Sequence, residues 1–545
     1  MKTLGLRDII GPVMVGPSSS HTAGALAIAR MARKLCGSKP VRATFTLYGS
    51  FAHTGSGHGT DKALVAGLLG LSADDLSIRR SFELAREAGL EFEFARMRTE
   101  PGKASAQASG AEHPNTVDIS ITEDCGDVLS VRGVSVGGGA AAITRIDGID
   151  VNITGEHTSV VVRQHDERGV LAHIATCLAE CGVNIATTRM FRTRKGQSAY
   201  TVMETDDAVP ASVRSAIEAH PAVRDVRVVP AVHAGGKEPL GGSASIDADE
   251  RFARCDFASG AELLARCAEH ACSIAEAFRI REEALCALDG VQAGIDAYLA
   301  HVLEVMRASA TKPLAHPAPS MGGLIGGEAQ ALTRSCEGIA PLLDPLSATA
   351  CTYALAVLET NASMGRIVAA PTAGSAGVVP AVLLALGAHR NFSDEQLREG
   401  LLTAAAVGYL IARNASVSGA EGGCQAEIGS AAAMAAAAAA ELAGASPACA
   451  LNAASNALMC LMGLVCDPIG GLVEVPCQKR NATAAETALV CAQIALSGTE
   501  NLVGFDETVA AMASVGRALP FELRESALGG IAATPSACAW CAQCG

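Results

Sequence analysis

Between residues 157 and 232 the spacing of apolar positions switches back and forth between two periods. "TSVVVRQHD" is a β-branched run, and "RGVLAHIATCLAECG" sets apolar residues three and four apart behind a glycine. "VNIATTRMFRT" and "GQSAYTVMETD" return to the strand pattern, "PASVRSAIEAH" is helical with Pro at its start, and "VRDVRVV" is a strand again. The order βαββαβ predicts a ferredoxin-like module. Ahead of it, residues 1–150 mix β-branched runs ("RATFTLYGSF", "TVDISITED") with helical stretches such as "AGALAIARMARKL", which predicts an α/β domain with strands of mixed order. Behind it, residues 233–250 form a Gly/Ser-rich linker around "AGGKEPLGGSAS", and residues 251–545 turn Ala/Leu-rich with helical period and almost no strand signal. The expected architecture is a multidomain α+β chain ending in an all-α domain. Its loops are marked by "GGLIGGE", "APTAGSAG" and "DPIGGLVEVP".

Composition narrows the class. The 545 residues are 49% hydrophobic, only 3% aromatic, and contain 56 Gly, so large cores must be packed mainly by small aliphatic side chains. A net charge of −14 excludes a nucleic-acid footprint. The start of the chain lacks an apolar signal-peptide region. "GSAAAMAAAAAAELAGA" (429–445) is too short and too weakly apolar for a membrane span and is expected as a buried helix, so a cytoplasmic protein is predicted. Nineteen cysteines without a secretion signal are not a disulfide framework. Cys36, Cys177, Cys181, Cys267, Cys272, Cys286, Cys449, Cys460 and Cys491 lie in helix-like apolar contexts and are expected in the core.

Other cysteines sit beside loops. Cys424 in "SGAEGGCQAEIGS", Cys466 in "LVCDPIGG" and Cys477 in "LVEVPCQKRNA" are flanked by Gly or Pro. They are either unrelated buried thiols or soft ligands that would leave one iron of a [4Fe–4S] cluster open for Lewis-acid chemistry. At the front, "GPSSSHTAG" places Ser18, Ser19, Ser20, His21 and Thr22 where a helix is about to start; they either cap it or hold a carboxylate. "YGSFAHTGSGHGTDKA" adds His53, His58, Thr60 and Asp61 in a Gly-rich loop, where a histidine can act as acid or base. "EHPNTV" adds His113 at a turn. The chain ends on "CAWCAQCG", with Cys538, Cys541 and Cys544 close together.

These long motifs together resemble the iron–sulfur-dependent L-serine dehydratases (L-serine ammonia-lyases). Residues 1–150 are similar to the β-type part, 251–545 to the α-type part, and 157–232 to an ACT regulatory domain. The resemblance implies that Cys424, Cys466 and Cys477 bind a [4Fe–4S] cluster, with Cys544 a removable fourth ligand on a tail folded back into the active site. It leaves Cys538 and Cys541 unassigned; with Cys544 their spacing also resembles part of a ferredoxin ligand run.

The expected reaction converts L-serine to pyruvate and ammonia. His58 is the expected base, His21 and Ser18–Ser20 position the carboxylate or a proton, and Thr22, His113, Asn361, Thr372 and Ser375 bind substrate, with Asn481 a further candidate. The ACT resemblance implies an amino-acid effector near Asp166, Gly169 and Asn184, and a homodimer or higher homo-oligomer. Two other readings are a pyridoxal-dependent lyase, for which no lysine lies in a convincing phosphate-binding context, and an amino-acid sensor without catalysis.

Overall fold

The computed structural model describes residues 3–97 apart from 56, residue 113, residues 115–231 apart from 156 and 193, residues 246–338, and residues 341–544. The chain divides into two compact units, one of Met1–Ser19 with Ala234–Gly545, the other of Ser20–His233. The division falls inside the Ser18–Ser20 run.

The Ser20–His233 unit holds two sheets. In the six-stranded sheet, strand Pro40–Tyr48 pairs in parallel with Glu91–Met97 and antiparallel with Thr116–Glu123; Val128–Gly137, Ala140–Ile146 and Ile149–Ile153 continue it antiparallel. Helix Ala25–Leu35 packs on this sheet and on helix Thr60–Leu68, so most of its residues, Leu26, Ile28, Met31 and Leu35 among them, are buried. Gly133 permits the approach: a methyl group there would strike the Ile28 side chain.

The four-stranded sheet places Val223–Val229, Thr158–His165, Ser198–Thr205 and Ile185–Arg192 side by side, all antiparallel. Helices Val170–Glu180 and Ala211–Glu218 complete the βαββαβ order read from the sequence. Val160, Val162, Ile174, Leu178, Met203, Val213, Ile217 and Val226 form its core. Strand Ser198–Thr205 lies inside the sheet and is buried along nearly its whole length, whereas Ile185–Arg192 is a largely exposed edge. Tyr200 donates to Asp147 Oδ2 at 2.8 Å, tying this sheet to the six-stranded one.

The other unit is helical around Ser430–Leu442, whose residues Ser430 to Ala440 are all buried. Alanine lets the helices Asp394–Asn414, Pro447–Leu461 and Cys477–Leu496 pack closely around it. Helix starts are capped by side chains: Ser273 accepts from Glu276 N, Ser393 from Gln396 N, Ser446 from Cys449 N, and Asp344 from Leu346 N and Ser347 N. Arg281 is wholly buried, stacked over Tyr409 at 3.9 Å and paired with Asp256 and Glu282. Among the described residues no helix is long and apolar enough to cross a membrane.

Several expectations need correction. The helical region contains one short strand, Arg366–Val368, because Val13–Val15 lies antiparallel against it. Cys181 and Cys460 are exposed instead of core, the first at the C-cap of Val170–Glu180 and the second on the outward face of Pro447–Leu461; Cys272 and Cys449 are half-buried. Part of the Gly-rich stretch after Tyr48 is the short helix Gly49–Thr54, in which Phe51 and Ala52 are buried.

Candidate active site

In the helical unit, the three loop cysteines each sit where the chain changes direction. Cys424 begins the π-helical turn Gln425–Gly429, just after Gly423 at φ +75°. Cys477 begins helix Cys477–Leu496. Cys466 lies in an extended loop fastened to the segment beside it, its N–H donating to Leu523 O and its C=O accepting from Glu525 N, both at 2.9 Å. All three are buried, at 3, 4 and 8% exposure for Cys424, Cys466 and Cys477. The neighbouring Cys424 thiol and then burial push the Cys466 thiol far up; burial and then the charge of Cys424 do the same to Cys477.

Around these sulfurs stand polar groups from other loops. Glu427 Oε1 accepts from Thr372 Oγ1 at 2.7 Å, and Oε2 lies 4.0 Å from Cys466 Sγ. Burial pushes the Glu427 carboxyl up to about 7, and burial with the charge of Glu427 pushes Glu525 up to about 8. Arg480 pairs with Asp467 and donates to Val465 O, both at 2.8 Å. A methyl group on Gly419 would stand 3.3 Å from Cys466 Sγ, so the glycine keeps that side of the sulfur open. Three buried soft donors from three loops, packed with carboxyl groups, fit a cationic metal group better than an apolar core.

The expected substrate residues of this unit gather nearby. Thr372 and Ser375 share a hydroxyl contact at 3.1 Å. Asn361 donates to Ala373 O and Pro17 O, and its buried Oδ1 has no hydrogen-bond partner among the described residues. Ser19 Oγ accepts from Ala373 N at 2.8 Å, which docks the front of the serine run onto this loop, and Ser18 is buried beside it in sequence. Asn481 is fully used instead: its Oδ1 accepts from Gly377 N, and its Nδ2 donates to Gly374 O and Cys477 O. It bolts the third cysteine to the Thr372–Ser375 loop.

The other unit holds the histidines. The run Ser19–Gly24 is a π-helical turn leading into Ala25–Leu35, and no side chain caps that helix. Ser20 Oγ meets His21 Nδ1 at 3.0 Å, and Ser50 Oγ meets Nε2 at 2.8 Å. The His58 ring stands edge-on to His21 with centroids 4.4 Å apart. Thr22 Oγ1 donates to the His58 carbonyl at 2.6 Å, fixing that loop. His58 is wholly buried, yet among the described residues both its ring nitrogens lack a hydrogen-bond partner, as does the neighbouring Thr60 hydroxyl. Burial lowers His58 to about 4 and, with the His58 charge, lowers His21 well below its usual value, so both rings are neutral at pH 7.

His113 accepts from Asn115 N at 3.1 Å within its own turn; Asn115 O accepts from Ser135 N, and Ser135 Oγ donates to Ser20 O. In the four-stranded module Asp166 accepts from Arg192 and Gly196 N, and Asn184 is held by Asp206 and Asp207. Gly169 is left-handed at φ +94°, which is why a glycine starts that helix. The side chains of His53 and Cys544 lie outside the described residues. The chain end forms helix Pro535–Cys544. Its Trp540 and Cys541 lie over Gly470, between Cys466 and Cys477 in sequence: a methyl there would be 3.1 Å from the ring and 3.5 Å from the sulfur. Sequence reasoning passed over Glu427, Glu525 and Ser50. For Glu427 a signal was there, a lone acid inside the apolar run "CQAEIGSAAAMAA"; Glu525 and Ser50 carry none.

Comparison with known proteins now bears on these two sets of residues. The serine dehydratase beta chain family profile matches residues 8–145, and the serine dehydratase alpha chain profile matches residues 239–532. The four-stranded module falls between them. The probable L-serine dehydratase alpha chain of Bacillus subtilis (strain 168) is 48% identical over 43% of this chain and 78% of its own length. The L-serine dehydratases of Helicobacter pylori (strain ATCC 700392 / 26695) and Streptomyces coelicolor are each 30% identical over 95% of this chain and 96% of their own. With thiols and histidines lying in segments that match the alpha- and beta-chain profiles respectively, and with relatives aligned end to end, the chain belongs to the serine dehydratase family and joins both parts in one polypeptide.

Proposed function

We propose that the chain is an L-serine ammonia-lyase, with Cys424, Cys466 and Cys477 holding a [4Fe–4S] cluster. The observation that supports this reading is three buried thiols from separate loops, with Cys466 and Cys477 each within electrostatic reach of Cys424 and Glu427. When bound, such a cluster supplies Lewis acidity toward the departing β-oxygen of serine.

The chain's own residues do the rest. His58 takes the α-proton: its imidazole is neutral, and neither nitrogen is committed to a protein partner. His21, held between Ser20 and Ser50, positions that ring. Ser18, Ser19, Thr22, Asn361, Thr372, Ser375 and His113 bind or orient the substrate's polar groups, and Cys544 serves as the removable fourth ligand. Loss of the α-proton and the β-hydroxyl gives water and aminoacrylate. Tautomerisation and addition of water then yield pyruvate and ammonia.

The four-stranded module acts as an ACT-type regulatory and dimerising domain, a reading supported by its βαββαβ order and exposed edge strand. An effector near Asp166 would have to compete with Arg192 for that carboxylate. The test is oxygen-free purification followed by iron, acid-labile sulfide and pyruvate assays. Iron-bearing protein that deaminates L-serine, with loss of both metal and turnover in Cys466→Ser, supports the reading. Serine deamination by protein free of iron and sulfide overturns it.

A further inference from the structure

From Gly422 to Ala440 every residue is buried except Glu427, which keeps part of its surface accessible. A carboxyl side chain that keeps access in the middle of a buried run is an exception that packing alone does not explain. The surroundings are close and bare. A methyl on Gly419 would stand 2.6 Å from Glu427 Oε2, and one on Gly374 would stand 3.2 Å from Oε1. Among the described residues, Oε1 accepts from the Thr372 hydroxyl at 2.7 Å, and Oε2 has a hydrogen-bond contact only with the Cys466 thiol, at 4.0 Å. A carboxylate offers about four acceptor positions, so most of this one's capacity is unfilled.

A second carboxyl nearby, with the neighbouring guanidinium already paired, sharpens the demand. Glu525 carries a second carboxyl within electrostatic reach, and the guanidinium beside Cys477, Arg480, is committed to Asp467 at 2.8 Å. This lining suits a compact cation bearing several N–H donors. Serine has such a group. The residues assigned above to its polar groups are hydroxyls, an amide and an imidazole, and none of them is a carboxylate able to pair with the α-ammonium.

Resting on the reading of this site as a serine site, the geometry points to Glu427 as the specificity-determining carboxylate that receives the substrate's α-ammonium group. Thr372 holds Oε1 and leaves Oε2 turned toward the ligand, while Gly374 and Gly419 leave room for it. Glu427 thereby distinguishes an α-amino acid from the corresponding hydroxy acid before any bond is broken.

The test compares L-serine as substrate with 3-hydroxypropionate, the same molecule without its amino group, as competitive inhibitor. Both are measured on the anaerobically purified full chain and its Glu427→Gln variant. The expected result is a KM for L-serine raised roughly 10- to 100-fold, with a smaller change in kcat. The inhibition constant of 3-hydroxypropionate stays level or falls, and iron and sulfide contents match wild type. Glu427→Asp keeps the charge and recovers part of the discrimination. An unchanged ratio of serine to 3-hydroxypropionate affinity in Glu427→Gln overturns the inference, as does loss of iron from both variants. Wild-type protein that forms no pyruvate from L-serine overturns instead the functional reading on which it rests.

Discussion

Burying an imidazole with neither nitrogen satisfied costs free energy that folding has to offset elsewhere, and His58 carries that cost. Its folded-state value of about 4, against an ordinary 6.5, gives the effect a definite sign. Between those values the unfolded chain binds a proton that the folded chain refuses, so stability is full above 6.5 and is lost as pH falls toward 4. The loss is at most about 1.4 kcal/mol per pH unit in that window. The melting temperature of wild type should therefore fall more steeply on acidification than that of His58→Gln; parallel curves would refute the assignment. His58→Ala should also lower turnover by roughly 10²- to 10⁴-fold while leaving bound iron unchanged. His58 stood out in the sequence as a histidine in a Gly-rich loop, but its complete burial was not legible there. Nor was the role of Ser50, because the contact that defines it joins residues 29 apart in sequence.

Among the elements, the loop ahead of Cys477 is held by one carboxylate. Glu474, 2% exposed, accepts from Ser320 Oγ at 2.6 Å, Gly322 N at 2.7 Å and Leu324 N at 2.9 Å. Glu474→Ala would strand three donors, at a cost of about 2–4 kcal/mol. It should lower both the melting temperature and the iron content of anaerobically purified protein; normal values for both would show that the loop holds without it. The helices of the four-stranded module were readable because each buries one face at helical spacing, and its strands because they are β-branched runs between turn residues. The strand Arg366–Val368 was not, since three residues carry no period and their partner lies at the other end of the chain. The exposed Cys460 escaped for a related reason: an apolar neighbourhood in sequence does not say which side of a helix faces water.

On the scale of the whole molecule, the first nineteen residues pack with the C-terminal helices. Ile9, Ile10, Met14 and Val15 are buried there, Tyr298 donates to Ile10 O, and Ser19 binds Ala373 N. A chain starting at residue 20 should thus unfold its helical unit at lower temperature while the Ser20–His233 unit melts as before. Equal shifts in both transitions, followed by calorimetry, would contradict this division. Nothing in composition or motif foretold it, because a unit boundary is set by packing across the fold and the serine run reads as one continuous motif.

The chain contains a single tryptophan, and Trp540 rests on Gly470, a residue at φ +61° with no side chain to push it away. Tryptophan emission from this protein consequently comes from one known spot, the seat of the final helix. A red shift without loss of helical circular dichroism would report that seat emptying while the rest stays folded, and Gly470→Ala should produce that shift at rest. The molecule carries its own gauge of where its final helix is.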